Sequence, residues 1–514
     1  MIENLRPSSI NPITRPVAFF IMIFLVFSTA SAVAQFSTGE RIVYSYFLDD
    51  PTSSIHISWI SATEDTELYL RRRGSSQWNS RPVTRRSVIP GSDYIIFEVH
   101  LTRLRQDTAY DFIIGQSTEV KRFRTLPERL TRPVNFVNGG DLYGNSAMMT
   151  ATTKAAASAN PYFVVVGGDW AYADGDPTKI SRWFRLFEIW QEHMITNEGF
   201  MVPFVPVIGN HEVVGYYYQT ADKAPLYFTF FDKPEQRAYF TLDIGNYLSF
   251  ILLDSNHTNR VEGAQAQWLE EQLASRQDIP HVFPVYHVPA WPSFRPLESY
   301  HSTRVRTEWV PLFERYGITL AFENHDHTFK RTKPIRNNEV NEDGVIYIGD
   351  GSWGVGTRRA DDAHNRWYIE KVTDDHHYWN ITLMPGVRVV EAFNERNIQI
   401  DRFEQIVGET DLGDLPFFSK TPIGLELTQN YPNPFNPTTM ISFYIPESSS
   451  RSNVRLDLFN VKGQRIQTLL NRPMNSGPHF YVFDNRNYQL PSGHYMYRLQ
   501  FGREIQTKQM QLVK

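Results

Sequence analysis

The 514-residue chain contains no cysteine. Disulfides, iron–sulfur clusters and thiolate metal sites are therefore excluded, so any bound metal must use His, Asp, Glu, Asn or Tyr side chains. The chain also lacks a surplus of positive charge, since its formal net charge is −5. Nucleic acid is consequently disfavoured as a main partner. Beyond the amino-terminal segment there is no apolar run of membrane-spanning length, so we expect no transmembrane segment in the mature chain.

The amino-terminal segment has the pattern of a cleaved secretory signal. Arg6 and Arg15 precede the apolar run Val17–Phe27, and Ala32–Ala34 is a typical cleavage site. The run is short for a bilayer span, which favours cleavage over the alternative of an uncleaved anchor. We therefore predict a signal peptide over residues 1–34 and export through the periplasm.

Strand and helix patterns predict a multi-domain fold for the rest of the chain. Short strands with regular spacing and no helical period predict a β-sandwich over residues 37–130. Strands then alternate with amphipathic segments such as Ile180–His193, which predicts a layered α/β domain over 131–405. A linker at 406–424 leads into a turn-rich stretch with alternating strands, for which we predict a small all-β module over 425–514.

Metal-competent side chains recur at the carboxyl ends of the strands in the α/β region. The motifs are Asn138-Gly139-Gly140-Asp141, Gly167-Gly168-Asp169-Trp170-Ala171-Tyr172, Gly209-Asn210-His211-Glu212, His287 and Asn324-His325-Asp326-His327. Because such strand ends share one edge of a sheet, we expect these side chains to lie close together. Two hard cations would need one bridging carboxylate and further N or O ligands on each metal. The predicted ligands are Asp141, Asp169, Tyr172, Asn210, His287, His325 and His327.

The order of these motifs resembles the calcineurin-like metallophosphoesterases, and Gly-Asp-x-x-Tyr resembles their purple acid phosphatase branch. The resemblance spans about residues 133–402 and implies a four-layer fold, a β-sandwich flanked by helices. It implies a ferric ion held by Asp141, Asp169, Tyr172 and His327, whose phenolate contact gives that family its violet colour. It also implies that Asp169 bridges to a divalent metal, zinc, manganese or iron, whose other ligands are Asn210, His287 and His325.

The same resemblance implies a secreted hydrolase of phosphate monoesters. Two cations lower the pKa of a coordinated water, and the resulting metal-bound hydroxide attacks phosphorus in line at a dinuclear centre. His211 is the expected catalytic and substrate-binding residue, since imidazole can donate a proton to the leaving oxygen near neutral pH. Two alternatives stay open. One is a phosphodiesterase that uses the same site, and the other is a catalytically inactive cell-surface binding protein.

The two flanking regions carry resemblances of their own. The segments HLTRLRQDTAYDFIIG and KRFRTLP resemble the closing strands of a fibronectin type III-like domain, and a similar sandwich precedes the catalytic domain of large purple acid phosphatases. The segments NYPNPFNPTT, LFNVKGQRIQTLL, LPSGHYMYRL and TKQMQLVK resemble the C-terminal sorting domain of the type IX secretion system. This implies recognition by that machinery, export across an outer membrane, and release or attachment at the cell surface.

The chain departs from the family pattern at three points. Tyr143 stands where purple acid phosphatases have glycine, and we favour packing or a pocket wall over a second phenolate ligand. Asn324 replaces the glycine of Gly-His-x-His, and asparagine tolerates the left-handed backbone that glycine would supply. The family's phosphate-contacting histidines are not evident after His287, which leaves Arg295 or His301 as candidates for that contact.

Overall fold

The computed structural model describes residues 41–62, 64, 67–359, 363–407, 424–431, 433–436, 438–446, 453–474, 476–485 and 488–513. The predicted signal peptide and residues 408–423 of the predicted linker lie outside this part of the chain. Among the described residues, none of the helices has both the length and the apolar character needed to cross a membrane.

The N-terminal region consists of two small layers of strands with a common core. Its strands are β1 (Ile42–Tyr46), β2 (Ile55–Ser61), β3 (Glu67–Arg72), β4 (Asn79–Pro82), β5 (Arg85–Val88), β6 (Ile95–Leu101), β7 (Ala109–Ile114) and β8 (Lys121–Arg124). One layer has the order β4-β3-β7-β8, and the other contains β1, β2, β6 and β5. Trp59 and Phe97 from one layer share a buried cluster with Leu68 and Phe112 from the other, so alternate residues of both layers face inward as in a β-sandwich.

In the described part of the central region there are fifteen further strands and six helices. The strands are β9 (Val134–Gly139), β10 (Val164–Val166), β11 (Phe204–Pro206), β12 (Phe240–Ile244), β13 (Leu248–Leu252), β14 (His281–Val285), β15 (Leu320–Phe322), β16 (Phe329–Thr332), β17 (Ile335–Arg336), β18 (Glu339–Val340), β19 (Ile346–Gly349), β20 (Ile369–Thr373), β21 (His377–Met384), β22 (Val387–Asn394) and β23 (Gln399–Ile406). The helices are α1 (Ser146–Ala157), α2 (Ile180–His193), α3 (Pro225–Phe230), α4 (Ala264–Ala274), α5 (Tyr300–Glu308) and α6 (Val310–Arg315).

Two large sheets pack face to face in this region. One has the order β12-β13-β14-β15-β19-β16-β20, and the other contains β23-β22-β21-β9-β10-β11. Strand alternation divides the side chains between layers: Phe250 of β13 points into the core between the sheets, whereas its neighbour Ile251 contributes to the cluster with α4 and α6. On the other side, α1 and α2 pack against Val164 and Val166. The resulting order of helices, sheet, sheet and helices confirms the predicted four-layer fold.

The N-terminal strands continue the central sheet. Tyr46 of β1 pairs in parallel with Phe204 of β11, which extends the sheet to ten strands in the order β23-β22-β21-β9-β10-β11-β1-β2-β6-β5. Backbone hydrogen bonds therefore join the N-terminal region to the α/β region. The change of strand and helix pattern near residue 130 marks a change of architecture, but one continuous sheet contains strands from both regions.

The C-terminal module is all-β, as predicted from its alternating pattern. Its strands are β24 (Glu426–Leu427), β25 (Thr438–Ile445), β26 (Asn453–Asn460), β27 (Arg465–Pro473), β28 (Gly477–Asp484), β29 (Gly493–Phe501) and β30 (Glu504–Leu512). They form a three-stranded sheet, β24-β25-β28, and a four-stranded sheet, β27-β26-β29-β30. Phe443 from the first sheet and Leu456 and Tyr497 from the second belong to one buried cluster.

Phe136 provides a test of the packing between the two large sheets. Its ring is fully buried and lies 5.0 Å from Phe250 and 6.2 Å from Phe322 of the facing sheet. We expect Phe136→Ala to lower the free energy of unfolding by about 3–5 kcal/mol, because it removes buried surface and leaves a cavity. Urea denaturation should show this loss, whereas Val340→Ala, at a 52% exposed position, should change stability by about 0.5 kcal/mol or less. Equal effects of the two substitutions would contradict the packing described.

Candidate metal centre

The carboxyl ends of the parallel strands bring the predicted ligands to one place between the two large sheets. The turns that follow β9 and β10 carry Asp141 and Asp169, and these strands are paired in register. Asn210 lies in a short 3₁₀ turn after β11. In the facing sheet, His287 and His325 follow the paired strands β14 and β15. Sheet topology thus explains how residues nearly two hundred positions apart become neighbours.

One group of candidate ligands surrounds the carboxylate of Asp141. The hydroxyl of Tyr172 donates to Asp141 Oδ1 over 2.8 Å and lies 3.0 Å from His327 Nε2. The same His327 nitrogen lies 3.1 Å from Asp141 Oδ1. Asp169 completes this group, since one of its carboxylate oxygens lies within 4.8 Å of the ligand atoms of Asp141 and His327.

A second group surrounds His287 and shares Asp169 with the first. His287 Nε2 lies 3.2 Å from Asp169 Oδ2, 3.1 Å from Asn210 Oδ1 and 3.0 Å from His325 Nδ1. Asp169 is the residue common to both groups. This is the position that a bridging carboxylate must occupy.

The orientation of the histidines fits a metal in each group. His287 Nδ1 lies 2.9 Å from the carbonyl of Gly167, and His327 Nδ1 lies 3.2 Å from the carbonyl of Gly356. A carbonyl only accepts, so both Nδ1 atoms carry a proton, and both Nε2 atoms face the cluster as the nitrogens that would bind a metal. Asp169 Oδ2 is buried without a hydrogen-bond partner. Cations would satisfy these converging lone pairs.

The local field favours positive charge between the carboxylates. Burial opposes ionisation of Asp169, but His287 overrides it and holds the pKa of Asp169 well below its usual range. Burial alone would lower the pKa of His287, whereas Asp169 and then Asp141 raise it to about 9, so a metal bound at Nε2 would take the place of the proton on that nitrogen. Burial and then Arg295 hold the pKa of His325 well below its usual value. Because Asp169 is ionised and His325 neutral, both are in the protonation states that bind metals.

Burial also controls the chemistry of Tyr172. Burial first, and then Asp141, raises the pKa of Tyr172 well above its usual value. A phenolate at this position therefore requires a compensating cation close to the oxygen. A hard cation is the type of ion that such an oxygen-rich group would hold.

Backbone strain accompanies this convergence. Five of the candidate ligands have left-handed backbones, with φ of 58° at Asp141, 55° at Asp169, 53° at Tyr172, 81° at His325 and 57° at His327. Non-glycine residues in this region are strained, and such residues concentrate at functional sites. The turns are held in these conformations by the surrounding contacts.

Asn324 has a different role from the one expected. It is His325, the next residue, that takes the left-handed conformation in which we expected Asn324. The Asn324 side chain lies against two strand-end glycines, where a Cβ at Gly140 would lie 2.4 Å from its Oδ1 and a Cβ at Gly167 would lie 1.8 Å from its Nδ2. Its amide donates to the Tyr286 carbonyl over 3.2 Å. Asn324 thus fills the gap between the sheets that these glycines leave.

Two carboxylates that we did not single out from the sequence support the site. Glu212 is buried and accepts hydrogen bonds from the backbone N–H groups of Gly209, Asp169 and Trp170, each 2.8 Å long. It therefore fixes the turns that carry Asp169 and Asn210. Asp174 Oδ1 lies 2.5 Å from His211 Nδ1 and sets the direction of that ring. Glu212 could have been recognised from the sequence, because it ends the motif Gly-Asn-His-Glu. Asp174 belongs to none of the motifs and could not have been recognised in this way.

A cavity of about 440 Å³ opens beside the candidate ligands. His211, Arg295, His301, Tyr216 and Tyr217 contribute to its lining, together with Asn210 and His325. Both residues that we considered for phosphate contact, Arg295 and His301, therefore face the same space. The guanidinium of Arg295 is anchored by Asp326 at 2.5 Å and by the His325 carbonyl at 2.8 Å.

Tyr143 packs beside the site. Its hydroxyl lies 3.2 Å from the hydroxyl of Ser146, and the guanidinium of Arg182 lies 5.0 Å from its ring centre. The ring also packs against the cluster of α1 and α2. These contacts support the interpretation of Tyr143 as a packing residue.

Comparison with known families identifies two parts of the chain. Residues 136–329 match the calcineurin-like phosphoesterase family, and residues 429–513 match the secretion system C-terminal sorting domain. The first match spans the strand ends from Asp141 to His327, and the second spans the C-terminal all-β module. The metallophosphoesterase and sorting-domain resemblances inferred from the sequence motifs are thereby confirmed, whereas the fibronectin type III-like resemblance of the N-terminal region stays a prediction.

Purple acid phosphatases are among the similar proteins. Purple acid phosphatase 22 of Arabidopsis thaliana is 26% identical over 271 residues, which cover 50% of this chain and 58% of that protein. Purple acid phosphatase 21 of the same plant is 24% identical over 50% of this chain and 58% of its own length. The chain thus spans less than two thirds of the length of these relatives.

A solved structure shows the same fold. The purple acid phosphatase isolated from yellow lupin (Lupinus luteus) seeds superposes with a TM-score of 0.58 at 17% identity, covering 71% of this chain and 73% of that one. A likeness of this size establishes the fold alone. The chain therefore contains a calcineurin-like phosphoesterase domain with a purple acid phosphatase-like fold, followed by a secretion system C-terminal sorting domain.

Proposed function

We propose that this chain is a secreted, metal-dependent phosphoesterase that hydrolyses phosphate monoesters at a dinuclear centre. The observation that carries the proposal is the pair of ligand groups that share Asp169. Asp141, Asp169, Tyr172 and His327 would hold an Fe(III) ion. Asp169, Asn210, His287 and His325 would hold a divalent ion, zinc, manganese or iron. When bound, such a pair of ions activates water as a nucleophile and neutralises charge on the phosphoryl oxygens.

His211 is positioned to protonate the leaving oxygen. Its Nδ1 faces the Asp174 carboxylate, which only accepts when ionised, so this nitrogen carries a proton. Its Nε2 lies 3.8 Å from Asp169 Oδ2 and therefore faces the cluster. Asp174 would stabilise the imidazolium form, and the tilted contact of the ring with Tyr172, with centroids 4.2 Å apart, restricts its rotation. A proton on Nε2 can then pass to the departing alkoxide or phenoxide.

The lining of the cavity supports a monoester substrate. Arg295, His301 and His211 all line this space. Cationic and hydrogen-bonding groups at these positions would complement the two negative charges of a phosphate monoester. A diester carries a single charge and a second substituent, which this cavity would have to accommodate beside Tyr216 and Tyr217.

The C-terminal module supports a proposal about location. A secretion system sorting domain at residues 429–513 and the signal-like segment at residues 1–34 fit export through the periplasm by the type IX machinery. The product would be released or attached at the cell surface.

The activity itself is tested with two chromogenic esters. Metal-loaded protein should hydrolyse para-nitrophenyl phosphate with a kcat/KM at least about tenfold higher than that for bis(para-nitrophenyl) phosphate. The reverse preference would support the phosphodiesterase alternative, and no turnover of either ester by metal-loaded protein would support the inactive binding protein.

His211→Asn tests proton donation separately from metal binding. We expect kcat for para-nitrophenyl phosphate to fall by about 100-fold or more, because loss of a general acid typically costs this much. Metal content should stay unchanged, since His211 belongs to neither ligand group. Asp222→Asn alters an exposed carboxylate that pairs with Lys223 and is the control that should keep full activity. An unchanged kcat in His211→Asn would refute the assigned role.

The assignment of the phenolate is tested by colour. Purified iron-loaded protein should show a visible charge-transfer band, and Tyr172→Phe should remove it. Tyr143→Phe should leave the band intact, because the Tyr143 hydroxyl pairs with Ser146. Loss of the band in Tyr143→Phe alone would transfer the ligand role to Tyr143.

A further inference from the structure

A second cluster of potential metal ligands lies in the N-terminal region. His56 on β2 and His100 on β6 are directly opposite each other in the antiparallel pair. Their rings are stacked, with centroids 4.0 Å apart and an interplanar angle of 9°. Asp49, in the turn after β1, places its Oδ2 3.5 Å from His56 Nε2 and 3.1 Å from His100 Nε2. Two imidazoles and a carboxylate thus converge from three segments of the chain.

The orientation of His56 leaves a lone pair directed at Asp49. Its Nδ1 lies 3.2 Å from Glu98 Oε1, and the Glu98 carboxylate acts as the acceptor, so the proton resides on Nδ1. His56 is only 6% exposed. Its Nε2 atom and that of His100 are buried without a hydrogen-bond partner. A buried nitrogen that faces a carboxylate without a hydrogen bond is unfavourable unless a proton or a metal cation lies between them.

Glu98 behaves as a supporting residue behind the imidazole. It is fully buried, and it accepts hydrogen bonds from Tyr46 and Ser58 and pairs with Arg85 at 3.0 Å. Arg85 therefore balances the negative charge of Glu98 without a contribution from His56. A carboxylate that orients a metal-binding histidine through its second nitrogen is a recurrent feature of metal sites. The negative charge of the Asp49 carboxylate can then stabilise a cation bound between Asp49, His56 and His100.

Open space adjoins the three ligand atoms. Asp49, His56 and His100 line a cavity of about 530 Å³, so water could occupy the coordination positions that the protein leaves free. Three charged residues of the central region, Asp232, Lys233 and Arg237, also line this cavity. The Lys233 amino group donates to the Pro206 carbonyl, and the Arg237 guanidinium lies over the Tyr239 ring. Both side chains thus have partners other than the three candidate ligands.

We propose that Asp49, His56 and His100 form a further metal site, separate from the phosphoesterase centre, which binds a divalent transition ion of the zinc type. Two imidazole nitrogens and one carboxylate oxygen are a ligand set that zinc accepts, with a fourth position open to water. The ion would link the turn after β1 to strands β2 and β6. Both strands belong to the ten-stranded sheet that the N-terminal and central regions share. The proposal does not depend on the proposed function.

The test uses the full-length mature protein and zinc alone as the probe. The variant is Asp49→Asn/His100→Gln. The side chain of Asp49 is 57% exposed and that of His100 is 32% exposed, so the fold should tolerate both substitutions. We expect about one zinc per chain fewer than in the parent protein by elemental analysis after dialysis. Activity toward para-nitrophenyl phosphate should stay unchanged. Zinc should also raise the Tm of the parent by a few degrees, and this rise should be reduced in the variant.

A matched pair elsewhere controls for general loss of histidine and carboxylate. His193 and Glu192 lie on α2 with 3.5 Å between His193 Nε2 and Glu192 Oε1, so Glu192→Gln/His193→Gln should retain the zinc content of the parent. Equal zinc content in Asp49→Asn/His100→Gln and its parent would overturn the proposal. An equal loss in the control pair would overturn it as well. Loss of activity together with zinc would instead assign the lost ion to the phosphoesterase centre.

Discussion

The carboxylate of Asp169 is the constraint on which the rest of the site depends. It is 1% exposed, it is held in its ionised form by His287, and it belongs to both groups of ligand atoms. A buried charge of this kind is costly without positive charge nearby. His287 of the facing sheet supplies positive charge beside this carboxylate, and a metal ion on each side of it would supply the rest. The two large sheets place the candidate ligands around the carboxylate of Asp169.

Glu212 and Asn324 stabilise the turns that bring the candidate ligands to Asp169. The turns at the strand ends must adopt left-handed backbones at non-glycine positions, which is unfavourable in isolation. Glu212 compensates by accepting three backbone N–H groups, and Asn324 fills the space against Gly140 and Gly167. These interactions leave little freedom for the candidate ligands to relax, so the protein itself preorganises the site.

The sequence allowed most of this architecture to be predicted, for identifiable reasons. Strand ends can be recognised from apolar runs that stop at Gly-Asp or Gly-Asn-His, and parallel topology then requires those ends to meet. The left-handed ligands, the position of Asn324 and the Asp174–His211 contact depend on how distant turns pack, which local patterns do not encode. The same holds for the pairing of Tyr46 with Phe204, which makes the N-terminal strands part of the central sheet, and for the stacked pair of His56 and His100, since neither follows a strand-end motif.

Metal content per chain, compared between the mature protein and Asp169→Ala, tests the central claim most directly. The account predicts about two metal ions per chain at the phosphoesterase centre, with iron among them, and the loss of both in Asp169→Ala because the shared carboxylate contributes to each group. The control is Asp222→Asn, which alters an exposed carboxylate and should keep both ions. Asp326→Asn would not be suitable, because Asp326 anchors Arg295. Retention of both ions by Asp169→Ala, or a mature protein that binds no stoichiometric metal at this centre, would contradict the account.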